Sequence, residues 1–401
     1  MGRQLQGSSG FGMRALIITL LLFYMIVYFH RVMTGVMKVE IDYVALLYGI
    51  NPDVLLALLS SSYFYSYTLA QLFVGTLTDA FGIKRVGALF AVIMGAGALL
   101  MSLMSPVTLI LGRVLVGFSA TAAFLAYQRA SSLAYSREHQ GRLTSYLFVL
   151  GNLSTLIATY PLRVALNTVG SKTTLLALAT LTFATAACVF TLSKDHGSGG
   201  RVNGLRDTVR YLKVLIKDPH IWGLGVASLG IYGVTLAYQS SWGQKHLSEV
   251  FGMSIDVASQ YLMLLALIFT LTTPIAGFLS DKVLRRRKPL LLAASATSAL
   301  SWTLMLYSTL TLSTTTMFTS LVLLGVAAGL HTVAPPMAKE SYAVGYSATA
   351  IALFNTILFS GTAVLQTVAS IINPCSSIII HLAASLVGAF LAVTQTRETL
   401  R

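Results

Sequence analysis

The stretch GTLTDAFGIKRV, residues 75–86, joins two apolar runs, and GFLSDKVLRRRK, residues 277–288, joins two more. Each carries a glycine with an aspartate four residues on, Gly75 and Asp79 in the first and Gly277 and Asp281 in the second, followed by basic residues. Working outward, YGINPDV at 48–54 recurs as FGMSIDV at 251–257, so Asp79 lies 26 residues after Asp53 and Asp281 lies 25 after Asp256. Asn51 and Ser254 suit helix N-caps, Pro52 suits the first helical position, and Asp53 and Asp256 oppose the helix dipole. A cap alone is ordinary. Two caps with matching downstream partners at nearly equal distance mark a duplicated six-helix unit.

Composition sets the class. Of 401 residues 55% are hydrophobic and 10% charged, with a mean hydropathy of +0.77, against roughly 25% charged in a soluble chain. Apolar runs long enough to cross a hydrocarbon core of ~30 Å recur throughout. The spacing predicts twelve spans, at about 15–37, 53–76, 86–105, 107–131, 143–163, 171–192, 219–240, 256–279, 289–308, 314–337, 343–370 and 374–394. The expected fold is an all-α integral membrane protein of two pseudo-symmetric six-helix bundles: 1–192, a linker at 193–218, and 219–401. The first run exceeds a signal-peptide core and reads as a retained helix.

The net charge of +14 is a matter of topology. With the N-terminus inside, 20 of the 27 lysines and arginines fall on the inner side, 4 (Lys38, Arg163, Lys172, Lys245) on outer loops, and Arg31, Arg113 and Arg129 within spans. That bias predicts cytoplasmic termini and a plasma or inner membrane location, and no nucleic-acid motif accompanies it. Cys188 and Cys375 offer neither metal spacing nor a disulfide framework. The linker opens Gly/Ser-rich, and residues 204–217 alternate apolar and basic positions, suiting either a solvated helix or the inner membrane surface.

The 75–86 stretch resembles the signature loop of the major facilitator superfamily through Gly75, Asp79, Gly82, Lys84 and Arg85. The 277–288 copy keeps Gly277, Asp281 and a basic run including Arg285, and LGRVLVGF at 111–118 resembles the span-4 motif through Arg113 and Gly117. Glycine lets antiparallel helices turn tightly, while aspartate can accept from a helix N-terminus of the other half and pair with basic groups. These residues are therefore candidates for gating, the alternative being a solvated turn. Within the superfamily, YFHRVMTGV at 28–36 and QRASSLAYSREHQGRL at 128–143 look most like the anion:cation symporter group, through Arg31 and Arg129. His30 departs from that pattern, which unsettles any inherited scheme of proton coupling.

If span 1 starts near Ala15, Arg31 lies about 16 residues, or ~24 Å, along it, and either snorkels to the outer interface or faces a site. Tyr24, Tyr28, Arg31 and Gly35 share one helical face; Ser60, Phe64, Tyr67 and Gln71 share one on span 2. Span 5 offers Asn152, Thr155 and Thr159, span 7 Tyr232, Thr235, Gln239 and Trp242, and span 11 Asn355, Thr362 and Gln366. Five such stripes suit a cavity between the halves, although any one alone suits helix–helix contact. No carboxylate lies well inside a span, so fixed cations should attract an anion, with arginine's planar fork suiting a carboxylate.

The expected substrate site is Tyr28, Arg31, Tyr67, Gln71, Arg129, Asn152, Gln239, Trp242 and Asn355. Coupling candidates are His30, Arg113 and His331, with the proton as candidate ion. The expected function is alternating-access transport of a small organic anion by a monomer, without enzymatic activity, metal or other cofactor. The alternatives are a neutral metabolite or amphiphilic drug as substrate, or a non-transporting membrane sensor. No ATP-binding motif is present.

Overall fold

The computed structural model describes residues 9–135, 137–193, 205–342 and 344–400. Arg3, Arg201, Arg401 and the glycine-rich linker stretch lie outside the described residues, as does the side chain of Asp79. All regular structure among the described residues is helical. Ten helices are long and apolar enough to cross a membrane, and the pair Tyr146–Ile157 and Tyr160–Val169, bent by 46°, makes an eleventh. The first part of helix Pro52–Met101 supplies the twelfth.

The caps fall where the duplicated sequence puts them. The Asn51 side chain accepts from the N–H groups of Asp53 and Val54, and Ser254 accepts from Val257. Ser105, Ser313 and Asn373 cap spans 4, 10 and 12 in the same manner. The loop expected between spans 2 and 3 is reduced to a single break at Gly82, whose φ of 79° lies where glycine is favoured.

Two spans run further than the hydropathy suggests. Span 7 extends over Pro219–Phe251, interrupted by two π turns at Leu229–Gly233 and Tyr238–Trp242. Span 5 continues past its bend to Val169. Lys245 and Arg163, expected in loops, therefore lie in helices and are buried.

The halves meet where span 1 packs on span 7, span 2 on span 11 and span 5 on span 8. A Cβ on Gly35 would come within 2.6 Å of the Gln239 carbonyl oxygen, so spans 1 and 7 touch backbone to backbone there. Within the first half, Gly117 allows the same closeness to span 2, where a Cβ would meet the Tyr63 carbonyl at 2.2 Å. Large apolar side chains such as Leu69, Leu310 and Phe390 are exposed around the outside, the surface lipid covers in a membrane protein.

Candidate functional site

Arg31 does not snorkel. It is 4% exposed and lies under aromatic rings from both halves. Its guanidinium carbon is 4.4 Å from the ring centre of Tyr28, 5.7 Å from Tyr67 and 5.1 Å from Phe359 of span 11. Phe359 in turn stacks on Phe64 at 5.6 Å and meets Tyr67 edge-on at 5.0 Å. The hydroxyls interacting electrostatically with Arg31 belong to Tyr63, Tyr28, Tyr232 and Tyr67. No described carboxylate pairs with it, and its Nε has no hydrogen-bond partner. The cation is held by ring faces together with tyrosine hydroxyls, and a cation over a ring face is worth about 2 kcal/mol when desolvated.

The other embedded arginines are engaged with backbone. Arg113 donates from Nε to the Leu59 carbonyl at 2.9 Å and from Nη1 to the His30 carbonyl at 2.6 Å, over the Tyr63 ring. Arg113 thus ties span 4 to spans 1 and 2. Arg129 donates to the Thr78 carbonyl at 3.0 Å. His30 is fully buried with neither ring nitrogen bonded.

Span 2 turns its predicted stripe toward the other half, with Gln71 buried and its Oε1 unpartnered. On span 5, Asn152 reaches across the halves, donating to the Thr273 hydroxyl of span 8 at 3.0 Å. Tyr24 donates to the Tyr28 hydroxyl at 2.9 Å.

From the second half, Tyr232 faces this region and stacks on His331 at 5.3 Å, with Phe269 tilted against it at 5.8 Å. The His331 Nε2 is unpartnered. The span 7 stripe does not hold together, because each π turn inserts a residue and rotates the helix beyond it. Gln239 donates to the Leu262 carbonyl at 3.3 Å. Trp242 points into the interior of the second half, against Tyr238, Trp302, His246 and His381, and does not join Arg31. Asn355 is half-buried, and Thr362 and Gln366 face span 7, Gln366 donating to Ser240 at 2.7 Å.

At the end opposite the termini, two ion pairs cross between halves. Lys245 lies 2.7 Å from Asp53 and donates to the Ser370 carbonyl. Arg163 bonds Glu40 at 3.0 Å and Asn167, and approaches Asp256 of the other half at 3.9 Å. Asn167 also donates to Asp256 at 3.1 Å. These contacts are absent from the sequence expectation, which counted both cations as loop charges.

At the termini end, the described ion pairs lie within the second half or join it to the end of the linker. Arg287 takes Glu340 with two hydrogen bonds and Asp281 at 3.6 Å. Lys84 lies over Phe190 at 4.7 Å, Arg85 and Arg285 are exposed, and a Cβ on Gly277 would meet open space. Glu398 accepts from the N–H groups of Arg287 and Lys288, and Arg397 pairs with Asp218. Burial would raise the Asp218 carboxyl, but the His220 N–H, the Tyr342 hydroxyl and Arg397 outweigh it and hold it below the usual range. Backbone N–H bonds do the same for Glu398. Among the described residues no group of three metal-ligating side chains occurs.

A family model described as Major Facilitator Superfamily matches residues 7–366. The sequence is 26% identical over 254 residues to an uncharacterized transporter, YybO, of Bacillus subtilis (strain 168), a match covering 58% of each chain. The fold is similar to the crystal structure of a D-xylose–proton symporter (TM-score 0.74, 14% identity, 96% of this chain and 98% of that one). It is also similar to the xylose transporter XylE from E. coli in a partially occluded inward-open conformation (0.76, 13%, 96% and 98%). A bacterial homologue of the human lysosomal transporter Spinster, inward-facing and occupied, matches at 0.71 with 14% identity, covering 94% and 95%.

Proposed function

The chain belongs to the major facilitator superfamily and is an integral membrane transporter rather than an enzyme, and from that premise we propose that it moves a small organic anion, a carboxylate, by alternating access. The observation that carries this reading is Arg31. It is a buried cation between the halves, contacted by rings of both, with no carboxylate partner among the described residues. An anion arriving there gains charge-assisted hydrogen bonds in a low-dielectric setting. Its body meets residues of both halves, as a substrate coupled to their movement must.

In this reading residues 1–192 and 219–401 move as two bodies about the 193–218 linker, with the termini in the cytoplasm as the lysine and arginine bias favours. Gly75, Asp79, Gly82, Lys84, Arg85, Gly277, Asp281 and Arg285 act at the cytoplasmic end. The charge pairs at the far end support a mouth closed to the outside. One chain suffices for the pathway. Proton coupling runs through His331, stacked on Tyr232 beside the site, or through His30; both have unpartnered ring nitrogens. A proton symporter among the structural neighbours fits that proposal without extending its substrate to this chain.

The test is a thermal-shift panel on the detergent-purified protein, covering carboxylates, neutral sugars and organic cations, on the native chain and Arg31→Gln. Stabilisation by carboxylates, lost in the variant and followed by carboxylate flux in liposomes, is the expected result. Stabilisation by neutral or cationic compounds unchanged in Arg31→Gln would overturn the anion reading.

A further inference from the structure

The remaining buried cations limit what kind of anion fits. Arg113 is spent on the carbonyls of His30 and Leu59, and Arg129 donates to that of Thr78. Lys245 and Arg163 are neutralised by Asp53, Glu40 and Asp256. Arg31 is surrounded by ring faces and tyrosine hydroxyls and bonds no carbonyl or carboxylate oxygen of the described residues. Arg113 keeps its charge across the Tyr63 ring, but its Nε and Nη1 are taken by carbonyls, so Arg31 is the cation an incoming carboxylate can bond directly, and the second carboxylate of a dianion would be left short of donors in a low-dielectric region.

The walls are as informative as the charge. Tyr28, Tyr63, Tyr67, Tyr232 and Phe359 surround the guanidinium, and Phe64 stacks on Phe359; the six come from spans 1, 2, 7 and 11. A guanidinium donates in its own plane, and with its Nε unpartnered Arg31 has a donor there for an oxygen anion. A carboxylate bound in that plane carries its body outward among the same rings. A planar aromatic body meets tyrosine and phenylalanine in offset or edge-on contact.

Resting on the anion reading above, we infer that the substrate is an aromatic monocarboxylate, its single carboxylate on the edge of Arg31 and its ring between the rings of the two halves. The test compares binding of benzoate, cyclohexanecarboxylate, terephthalate, benzamide and D-xylose to the purified full-length protein, on the native chain, Phe359→Leu and Phe64→Leu. Benzoate is expected to bind about two- to tenfold tighter than cyclohexanecarboxylate, the range one aromatic contact supplies. Either leucine variant that folds should narrow that ratio, costing benzoate more affinity than cyclohexanecarboxylate. Terephthalate should bind more weakly than benzoate, and benzamide not measurably. Equal affinity for benzoate and cyclohexanecarboxylate overturns the aromatic claim, and tighter terephthalate binding overturns the single-carboxylate claim; both leave the anion reading standing. Binding of D-xylose or benzamide with no carboxylate bound overturns the anion reading itself.

Discussion

Lys245 Nζ lies 2.7 Å from Asp53 Oδ1, joining the far end of span 7 to the first turn of span 2 in the other half. Asp53 is one of the two aspartates marked by the duplicated cap motif, and the other, Asp256, also takes its partners from the opposite half, in Arg163 and Asn167. The repeat thus places a carboxylate at the same point of each half, and each is met by a cation across the interface. If the halves separate at this end during transport, both pairs must break.

Removing the Lys245–Asp53 pair should therefore loosen the closed mouth. Lys245 is almost fully buried and Asp53 is about a third exposed, so a double-mutant cycle of Lys245→Gln and Asp53→Asn should give a coupling of about 1 kcal/mol. With Cys188 and Cys375 replaced by serine and Gln239 by cysteine, Lys245→Gln should also speed labelling by a membrane-impermeant thiol reagent several-fold. An unchanged labelling rate would mean the pair contributes nothing to closure.

Gly35 tests the same closure from the backbone side. A Cβ there would lie 2.6 Å from the Gln239 carbonyl oxygen and 2.8 Å from the Ser240 carbonyl carbon, neither of which can rotate away. Gly35→Ala should cost about 1–3 kcal/mol, the range for overpacking a tight contact. Because the clash exists only when spans 1 and 7 meet, the variant should favour the open mouth, raising labelling at residue 239 as the melting temperature falls. A lower melting temperature without faster labelling would place the strain inside one half instead.

Much of this was legible in the sequence, and the failures have definite causes. Caps at Asn51 and Ser254 and the break at Gly82 depend on local chemistry, so spacing reveals them. Arg31 stood out because a charge within an apolar run is costly. Arg163 and Lys245 were hidden because hydropathy ends a span where charge begins, yet both helices continue and the charges are neutralised across the interface. Trp242 was assigned to the wrong face because a period of 3.6 residues assumes unbroken α-helix, and the π turns at Leu229–Gly233 and Tyr238–Trp242 each shift the register. No single-sequence pattern announces such a turn.

At the termini end, stability should depend on pH through Asp218 and Glu398. Both carboxyls are held below their ordinary range, so the folded state favours their ionised forms. Their contribution is present above the ordinary carboxylate pKa of about 4 and is lost as pH falls through their lowered values. Asp218→Asn and Glu398→Gln should each lower the melting temperature at pH 7, and the difference from the native chain should shrink as pH falls below about 4. A difference that stays constant with pH would assign the loss to packing rather than charge.

Arg31 and Arg113 should respond to substitution in opposite ways. Arg113 donates to two buried carbonyls on different spans, and hydrogen bonds from a charged donor are worth about 1.5–3 kcal/mol each. Lysine cannot reproduce that fork, so Arg113→Lys should lower thermal stability markedly while the protein that remains folded keeps its substrate affinity. Arg31 has no such partner and its charge is buried against rings. Arg31→Gln should leave stability unchanged or raise it, because a desolvated charge is removed, yet abolish carboxylate binding. Melting curves with and without benzoate on both variants separate the roles. Loss of stability in Arg31→Gln together with retained binding would make Arg31 a structural residue and return the substrate site to the remaining polar groups between the halves.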